Sequence, residues 1–345
     1  MAESIPTSEL GRNGPKVSRL GFGAMGFAGF YSTRKSDEEI FSVLDAAYSL
    51  GVRHWDTADA YTDNEDILGR WFAANPGKRQ NIFLATKFGI TADEKGAYVV
   101  RNDPDYIRQA CDRSLSRIGI DSIDLYYAHR IRNDTPIEKT VEVMAELVSK
   151  DKIKHIGLSE CSAETLRRAY KIHPITVVQM EYSPFELSIE KKETNLLSTA
   201  RELGVAIVAY SPLGRGMLTG TIKSPADLPE NDVRRGFPRY SPENFDKNLK
   251  LVDGFERVAD AKNCTTTQLA LAWLLAQGPD IFPIPGTTRV DRLRKNAGAA
   301  YVRLTDAELK ELRELVDNAE VEGDRFDHVT FQNYEELSFT DTVPL

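Results

Sequence analysis

Cysteine is scarce in this chain. The three present, Cys111, Cys161 and Cys264, stand far apart and show neither a metal-binding nor a redox spacing. They fit a reducing compartment better than a disulfide framework. The five histidines, His54, His129, His155, His173 and His328, show no paired ligand spacing, so no metal is expected. No run of about 18 apolar residues occurs, which removes a membrane-spanning helix from consideration. Basic charge is in deficit, 44 Lys and Arg against 52 Asp and Glu, for a net charge of −8 and a pI of about 5.4. Nothing there favours nucleic acid or an anionic membrane as a partner. The opening "MAESIPTSEL" lacks a basic region followed by an apolar one, so no signal peptide is expected and a cytoplasmic location is the default. No low-complexity tract or fixed-period repeat interrupts the chain.

What is there is an ordinary globular composition, 41% hydrophobic and 28% charged over 345 residues. That length suits two domains or one large α/β barrel. Strand-like and helix-like segments alternate. The strand candidates are 17–25, 52–58, 81–89, 123–129, 153–160, 176–182, 205–212 and 281–286, eight in all. Between them, Ser36 and Glu39 form a capping box ahead of an apolar period at Ile40, Val43, Leu44 and Ala47. Asp103 and Pro104 open a second helix, and Thr135 with Pro136 and Glu138 a third, with an apolar face at Ile137, Val141, Met144 and Val148. "LGV" follows a helix twice, at 50–52 and 203–205, a glycine stop before a new strand. Eight β–α pairs predict a parallel (β/α)8 TIM barrel, with an open doubly wound sheet as the runner-up. The expected organisation is one barrel domain over residues 1–345, with a long Gly-, Pro- and Arg-rich loop at 213–246 after strand seven. An acidic, aromatic tail begins at about 319 and could fold over the barrel mouth or end as a partly ordered terminus.

"GFGAMG" (21–26) matches the glycine spacing of a dinucleotide fold. That fingerprint needs a helix starting within the glycine turn. Here "FAGFYSTRK" follows, without helical period, and the next cap is Ser36. The glycines are read instead as shaping strand one and its loop where backbone approaches a ligand closely, which makes Met25 and Gly26 cofactor-contact candidates.

A barrel of this kind works at the C-terminal ends of its strands. Strand two ends with Asp56, and Tyr61 lies in its loop; strand three ends with Lys87, and strand four with His129 and Arg130. Ser159 and Glu160, Gln179 and Glu181, and Tyr210 end the next three. Singly, each has a structural explanation; gathered at one rim, they make a site. A lysine ammonium beside a tyrosine stabilises the phenolate and is expected to lower the phenol pKa. A buried lysine needs a counter-charge, which Asp56 supplies. His129 can donate to a carbonyl oxygen and hold it against Tyr61. Such a set protonates an oxygen as negative charge grows on it, and it needs a hydride source. Tyr210 can stack on a planar ring. The turn after it, with Arg215, suits a pyrophosphate. "PIPGTTRVDRLRKN" (283–296) offers amides, the Thr287 and Thr288 hydroxyls, Arg289, Arg292 and a helix start, a phosphate site in which two arginines favour NADP over NAD.

These residues bring a family into view. The chain resembles the aldo-keto reductases from about residue 8 to 318, through "VSRLGFGAMG", "HWDTADAY", "LATKFG", "LYYAHR", "IGLSE", "VQMEYSP", "AYSPLGRG" and "PIPGTTRV" with its later Asn. The long-loop form resembles the branch with pyridoxal reductases, plant carbonyl reductases and potassium-channel β-subunits. The resemblance implies NADPH bound without a dinucleotide fold and a tetrad of Asp56, Tyr61, Lys87 and His129, with Tyr61 as the acid. It implies that Ser159 and Gln179 hold the carboxamide, Tyr210 stacks on the ring, and Ser211, Pro212, Leu213, Gly214, Arg215 and Gly216 line the pyrophosphate. Gly286, Thr287, Thr288, Arg289 and Arg292 then take the 2′-phosphate side, and Asn296 the adenine. Two positions depart from many relatives: Glu160 where Asn is common, and Lys295 where Glu is common.

The expected activity is reduction of a small-molecule aldehyde or ketone. Two alternatives stand beside it: a cofactor-binding regulatory subunit with little turnover, and a hydrolase using Asp56 with Glu181. Substrate-contact candidates are Phe27, Phe30, Tyr31, Phe88, Arg130 and the loop after Leu218.

Overall fold

The eight strand-like runs pair in chain order. In a computed structural model describing residues 5–31, 33–94, 96–326, 338–339 and 341–345, they form one parallel sheet: β1 (Phe22–Gly23), β2 (His54–Asp56), β3 (Phe83–Phe88), β4 (Ile123–Ala128), β5 (Ile153–Ser159), β6 (Val177–Glu181), β7 (Ala206–Tyr210) and β8 (Ile281–Pro283). The sheet curls on itself. A parallel bridge joins Gly23 to Gly286, and the Gly21 N–H donates to the Pro283 carbonyl at 2.9 Å. That closure is what distinguishes a barrel from the open doubly wound sheet.

The helices outside are α1 (Asp37–Ser49), α2 (Asn64–Ala74), α3 (Pro104–Ile118), α4 (Ile137–Ser149), α5 (Ala163–Ile172), α6 (Leu196–Leu203), α7 (Pro242–Ala261), α8 (Thr266–Ala276), α9 (Val290–Gly298) and α10 (Asp306–Asp317). The Ser36–Glu39 box starts α1, which buries Ile40, Val43, Leu44 and Ala47. Asp103 caps α3 by accepting from the Tyr106 amide, and Gly119 ends it with a φ of 69°. Side chains alternate across each strand. Ala85, Leu125, Tyr127, Val177, Ala206, Val208 and Phe282 fill the interior, while Trp55 and Leu84 face the α1–α2 layer. Gly157 is glycine because a Cβ there would stand 2.4 Å from the Tyr127 ring.

The expectations need correction at several places. The run 17–25 is not one strand. Lys16–Ser18 pairs antiparallel with Thr7–Glu9, and only Phe22–Gly23 joins the barrel. The resulting hairpin lies across the strand starts, where the Ser8 hydroxyl donates to the Pro279 carbonyl and the Arg12 N–H to the Gly204 carbonyl. The cap of α4 is not Thr135, whose hydroxyl turns to Asp134. The Ile137 N–H instead donates to the Thr342 hydroxyl, so the chain's end caps this helix. The long loop stops at Ser241, because Pro242 opens α7.

The glycines of "GFGAMG" serve strand packing first. A Cβ on Gly23 would lie 2.8 Å from the Ile284 carbonyl oxygen, and one on Gly286 would lie 2.8 Å from that of Gly23. Backbone on both sides leaves no flexible atom to yield. Gly23→Ala is expected to lower stability by about 1–3 kcal/mol; an unchanged thermal melt would show that the seam is not under this constraint.

Candidate functional site

Alternation carries the site residues inward. The inner positions of β3 run Ala85, Lys87, and those of β4 run Leu125, Tyr127 and then His129. The same step leads to Asp56 on β2, Ser159 on β5, Gln179 and Glu181 on β6, and Tyr210 on β7. Apolar residues therefore fill the barrel below, and polar ones crowd its C-terminal mouth.

At the centre Lys87, with no exposed side-chain surface, meets Asp56, which is 3% exposed. The Lys87 ammonium also donates to the Thr57 carbonyl at 2.7 Å, and it lies 5.2 Å from the centroid of the Tyr61 ring. The second Asp56 oxygen accepts from the Gln179 amide at 2.8 Å. Both Asp56 oxygens thus accept from donors, and the pair is read as ammonium and carboxylate. His129 stands edge-on to the Tyr61 ring, 5.8 Å between centroids at 83°. Sequence reasoning named these four residues from three strand ends and the loop after strand two, and the structure brings them together.

Electrostatics amend one expectation. Burial lifts the Tyr61 pKa above the ordinary phenol value; Lys87 pulls it down, yet burial wins. The phenol stays protonated. Burial, then Lys87 and Arg130, hold the His129 pKa well below the usual imidazole value, so it is a neutral ring able to donate one N–H. Burial lowers the Lys87 pKa, but Asp56 and Tyr61 more than offset it.

Around this centre the predicted coenzyme positions divide. The Ser159 hydroxyl is buried with no partner among the described residues. Tyr210 donates its hydroxyl to Glu160 at 3.0 Å. Glu160 itself, the departure noted in the sequence, is an ionised carboxylate: burial raises its pKa, but Arg325 and Arg130 overcome that and bring it down to about 2. The turn at 214–216 has three successive left-handed residues, with φ of 55°, 54° and 106°. The Arg215 guanidinium, read as a pyrophosphate ligand, is engaged elsewhere. It pairs with Glu181 at 3.1 Å, donates to the Arg325 carbonyl at 2.7 Å and lies over Phe237 at 4.5 Å. Only the backbone of that turn is left to face a phosphate. After β8, Thr287 accepts from the Arg289 amide at 3.1 Å, and Arg289 folds onto Asp291. Arg292 forms no ion pair among the described residues, and desolvation with Arg289 and Arg234 nearby lowers its pKa. A Cβ on Gly26 would meet only the Thr288 methyl, at 3.4 Å, so the first loop borders this phosphate-suited segment. Asn296 is buried on α9, and Lys295 is exposed beside it.

Two substrate-contact candidates fall away. Phe27 and Phe88 are fully buried, Phe27 against Phe22 and Phe88 against Tyr126, because each occupies an outward-facing core position. Phe30 and Tyr31 pack edge-on at 5.0 Å and stay partly exposed. The alternative of a hydrolase using Asp56 with Glu181 loses support, since Asp56 is paired with Lys87 and Glu181 with Arg215.

Sequence reasoning missed the supports. Arg117, on α3, donates to the Asp59 and Thr62 carbonyls and pairs with Asp66, bracing the Tyr61 loop from below. The Asn64 side chain ties that loop to the Ala24 carbonyl at 2.8 Å. Neither is visible without the three-dimensional neighbours. The tail was expected as a possible cover, and Arg325 and Phe339 are its contacts: the Phe339 N–H donates to the Glu160 carbonyl at 3.0 Å. Its part at 327–337, with His328, lies outside the described residues.

The barrel and its mouth are those of a known class. The chain belongs to the aldo-keto reductase family, whose family model matches residues 19–317. It is 50% identical to aldo-keto reductase str7 of Strobilurus tenacellus over 326 residues, 93% of this chain and 95% of that one. It is 52% identical to aldo-keto reductase yakc [NADP(+)] of Schizosaccharomyces pombe over 326 residues, 94% and 95% of the two chains. Among solved structures it is similar to a glycerol dehydrogenase from Gluconobacter oxydans, with TM-score 0.81 and 27% identity over 93% of this chain and 98% of that one. It is also similar to a thermostable aldo-keto reductase solved with the inhibitor epalrestat, with TM-score 0.72 and 29% identity over 90% of this chain and all of the other.

One titration follows from the loop's underside. Burial, with Glu65 adding to it and Arg113 and Arg117 opposing, raises the Asp59 pKa to about 7. The folded state then holds a proton that the unfolded chain releases above its ordinary carboxyl pKa. The stability from this group is complete at low pH and is lost as pH rises through about 7. Asp59→Asn is expected to raise the melting temperature at pH ~8, by less at pH ~5, and to lose that advantage only below pH ~4; an equal shift at every pH would contradict the assignment.

Proposed function

We propose that the chain reduces aldehydes or ketones to alcohols with NADPH, Tyr61 serving as general acid. The observation that carries this reading is the Tyr61 phenol set against the Lys87 ammonium, 5.2 Å from the ring centroid, with Lys87 itself locked to Asp56. Bound NADPH would supply a hydride to the carbonyl carbon. Tyr61 keeps its proton in the resting site because burial disfavours the phenolate. As negative charge grows on the carbonyl oxygen, the phenol passes its proton there, and Lys87 stabilises the phenolate left behind. His129, neutral, donates to the same oxygen and orients it. Asp56 holds Lys87 charged and in place.

The residues present fit the coenzyme. Ser159 offers an unpartnered buried hydroxyl suited to a carboxamide, and Gln179 adjoins it across β5 and β6. Tyr210 offers a ring. Met25, Gly26 and the backbone of Ser211, Pro212, Leu213, Gly214, Arg215 and Gly216 border the path a pyrophosphate would take. Gly286, Thr287, Thr288, Arg289 and Arg292 precede or open α9, where a phosphate is favoured, and Asn296 follows for the base. The NADP(+) in the name of the fission-yeast relative supports the choice between coenzymes. The Phe30–Tyr31 pair forms the wall that a small-molecule substrate would meet, in a single barrel unit acting in the cytoplasm.

A panel of aldehydes and ketones with the purified protein should consume NADPH; tight coenzyme binding with negligible turnover would instead favour a regulatory subunit. Tyr61→Phe should lower turnover by about 10²–10⁴-fold while NADPH still binds, and near-wild-type turnover would remove Tyr61 from its role. Arg292→Ala should weaken NADPH about tenfold and leave NADH unchanged; an equal effect on both would refute its part in phosphate recognition.

A further inference from the structure

Three buried acids and three arginines of which little is exposed meet at the mouth beside the catalytic centre. Glu160 ends β5, and Glu181 ends β6 with Glu186 following; Arg215 comes from the turn after β7, Arg239 from the long loop, and Arg325 from the segment after α10. Arg325 pairs with Glu160 at 3.1 Å, Arg215 with Glu181 at 3.1 Å and Arg239 with Glu186 at 2.7 Å. Three ion pairs result, with Arg130 as a further buried cation facing Glu160. None of the four residues proposed as the catalytic tetrad belongs to this group.

Within this group Glu160 stands at an unusual place. Its φ is 56°, a left-handed conformation that a residue with a long side chain adopts only under constraint. Its side chain is fully buried, and one oxygen accepts from the Tyr210 hydroxyl at 3.0 Å and from the Glu181 amide at 3.3 Å. The other oxygen accepts from Arg325. Its own carbonyl accepts from the Phe339 amide, and Arg215 grips the Arg325 carbonyl. Two passes of the chain's end are thus fastened to the one residue that holds the Tyr210 hydroxyl.

We infer that Arg325 is a positioning residue for coenzyme binding: by neutralising Glu160 it lets that carboxylate fix the Tyr210 ring on which the nicotinamide would stack. This rests on the proposed place of Tyr210 against the coenzyme. The groups facing Glu160 are Arg130 after β4, Cys161 beside it, Glu181 on β6, Tyr210 on β7, and Ser338 and Arg325 from the tail. Arg325 is the largest influence that keeps Glu160 ionised against the cost of its burial. With Arg325 present, Glu160 stays a carboxylate throughout the neutral range, so the Tyr210 hydrogen bond does not vary with pH there. Without it, burial pushes the Glu160 carboxyl upward. The buried charge is then uncompensated at high pH and relieved as pH falls and a proton binds.

NADPH fluorescence titrations between pH ~5.5 and ~8 test this with the full-length protein. Wild type should bind with little pH dependence. Arg325→Met should bind roughly three- to tenfold more weakly at the upper end, the worth of one ring stack, and recover toward wild type at the lower end. Adding Glu160→Gln should remove both the weakening and its pH dependence, since a neutral amide still accepts from Tyr210. The double variant also serves if Arg325→Met alone does not fold. Hydrogen exchange of the coenzyme-free protein reads the same contact independently: the segment 205–212 should exchange faster in Arg325→Met and return to the wild-type rate with Glu160→Gln. Weakening that is equal at every pH and is not reversed by Glu160→Gln would overturn the inference, as would unaltered exchange at 205–212. Wild type that fails to bind NADPH would sink the proposed function, and the exchange measurement would then decide the Arg325–Glu160–Tyr210 linkage by itself.

Discussion

The mouth of this barrel is organised around one buried ion pair, Asp56 with Lys87. Taking two charges out of water is costly, and their attraction repays it only with good geometry and further hydrogen bonds. Here the further bonds are present, Gln179 to Asp56 and Lys87 to the Thr57 carbonyl, with the Tyr61 ring beside the ammonium. Each comes from a different strand end or loop, so the pair acts as the knot where β2, β3 and β6 meet. Losing either charge would leave the other unpaired in a dry site and would take from Tyr61 the neighbouring ammonium on which its proposed role depends.

Burial and charge pull Tyr61 in opposite directions, and burial wins in the resting site. That outcome suits a proton donor. A phenol already ionised would have nothing to give. In the proposed reaction the ammonium would matter most as the proton leaves, because the charge it then faces is larger than in the ground state. His129 follows the same logic with the sign reversed, since burial and neighbouring cations keep it neutral. One dry, cation-lined mouth therefore yields a protonated phenol and a neutral imidazole on the same side of the centre.

Much of this was legible in the chain. Strand alternation alone puts Lys87 two residues beyond Ala85 and His129 two beyond Tyr127, so inward-facing polar residues at strand ends could be read before any coordinates. The capping signals at Ser36 and Asp103 held because their bonds are local. What could not be read depends on distant partners. Thr342 caps α4 from 205 positions away. The Arg215 guanidinium turns to Glu181, a preference that a glycine-rich phosphate motif does not reveal. The break in strand one at residues 19–21 reflects a hairpin that has to cross the barrel floor, a tertiary demand on a run that looks uniformly extended. Phe27 and Phe88 looked like pocket residues because loops and strand ends were their only visible context; their faces of the barrel turn outward.

The charge arrangement also separates two tasks. Around Tyr210 the three acids Glu160, Glu181 and Glu186 are each paired with an arginine, and Arg130 stands near as a further buried cation. Around the start of α9 the opposite holds: Arg292 is unpaired among the described residues, with Arg289 and Arg234 near enough to depress its pKa. An anion arriving there relieves repulsion already present in the protein, whereas one arriving beside Arg215 would have to compete with Glu181. In the proposed function the site would discriminate by where it leaves positive charge least compensated, and the phosphate distinguishing NADP from NAD is the part of a coenzyme that such a distribution would recognise.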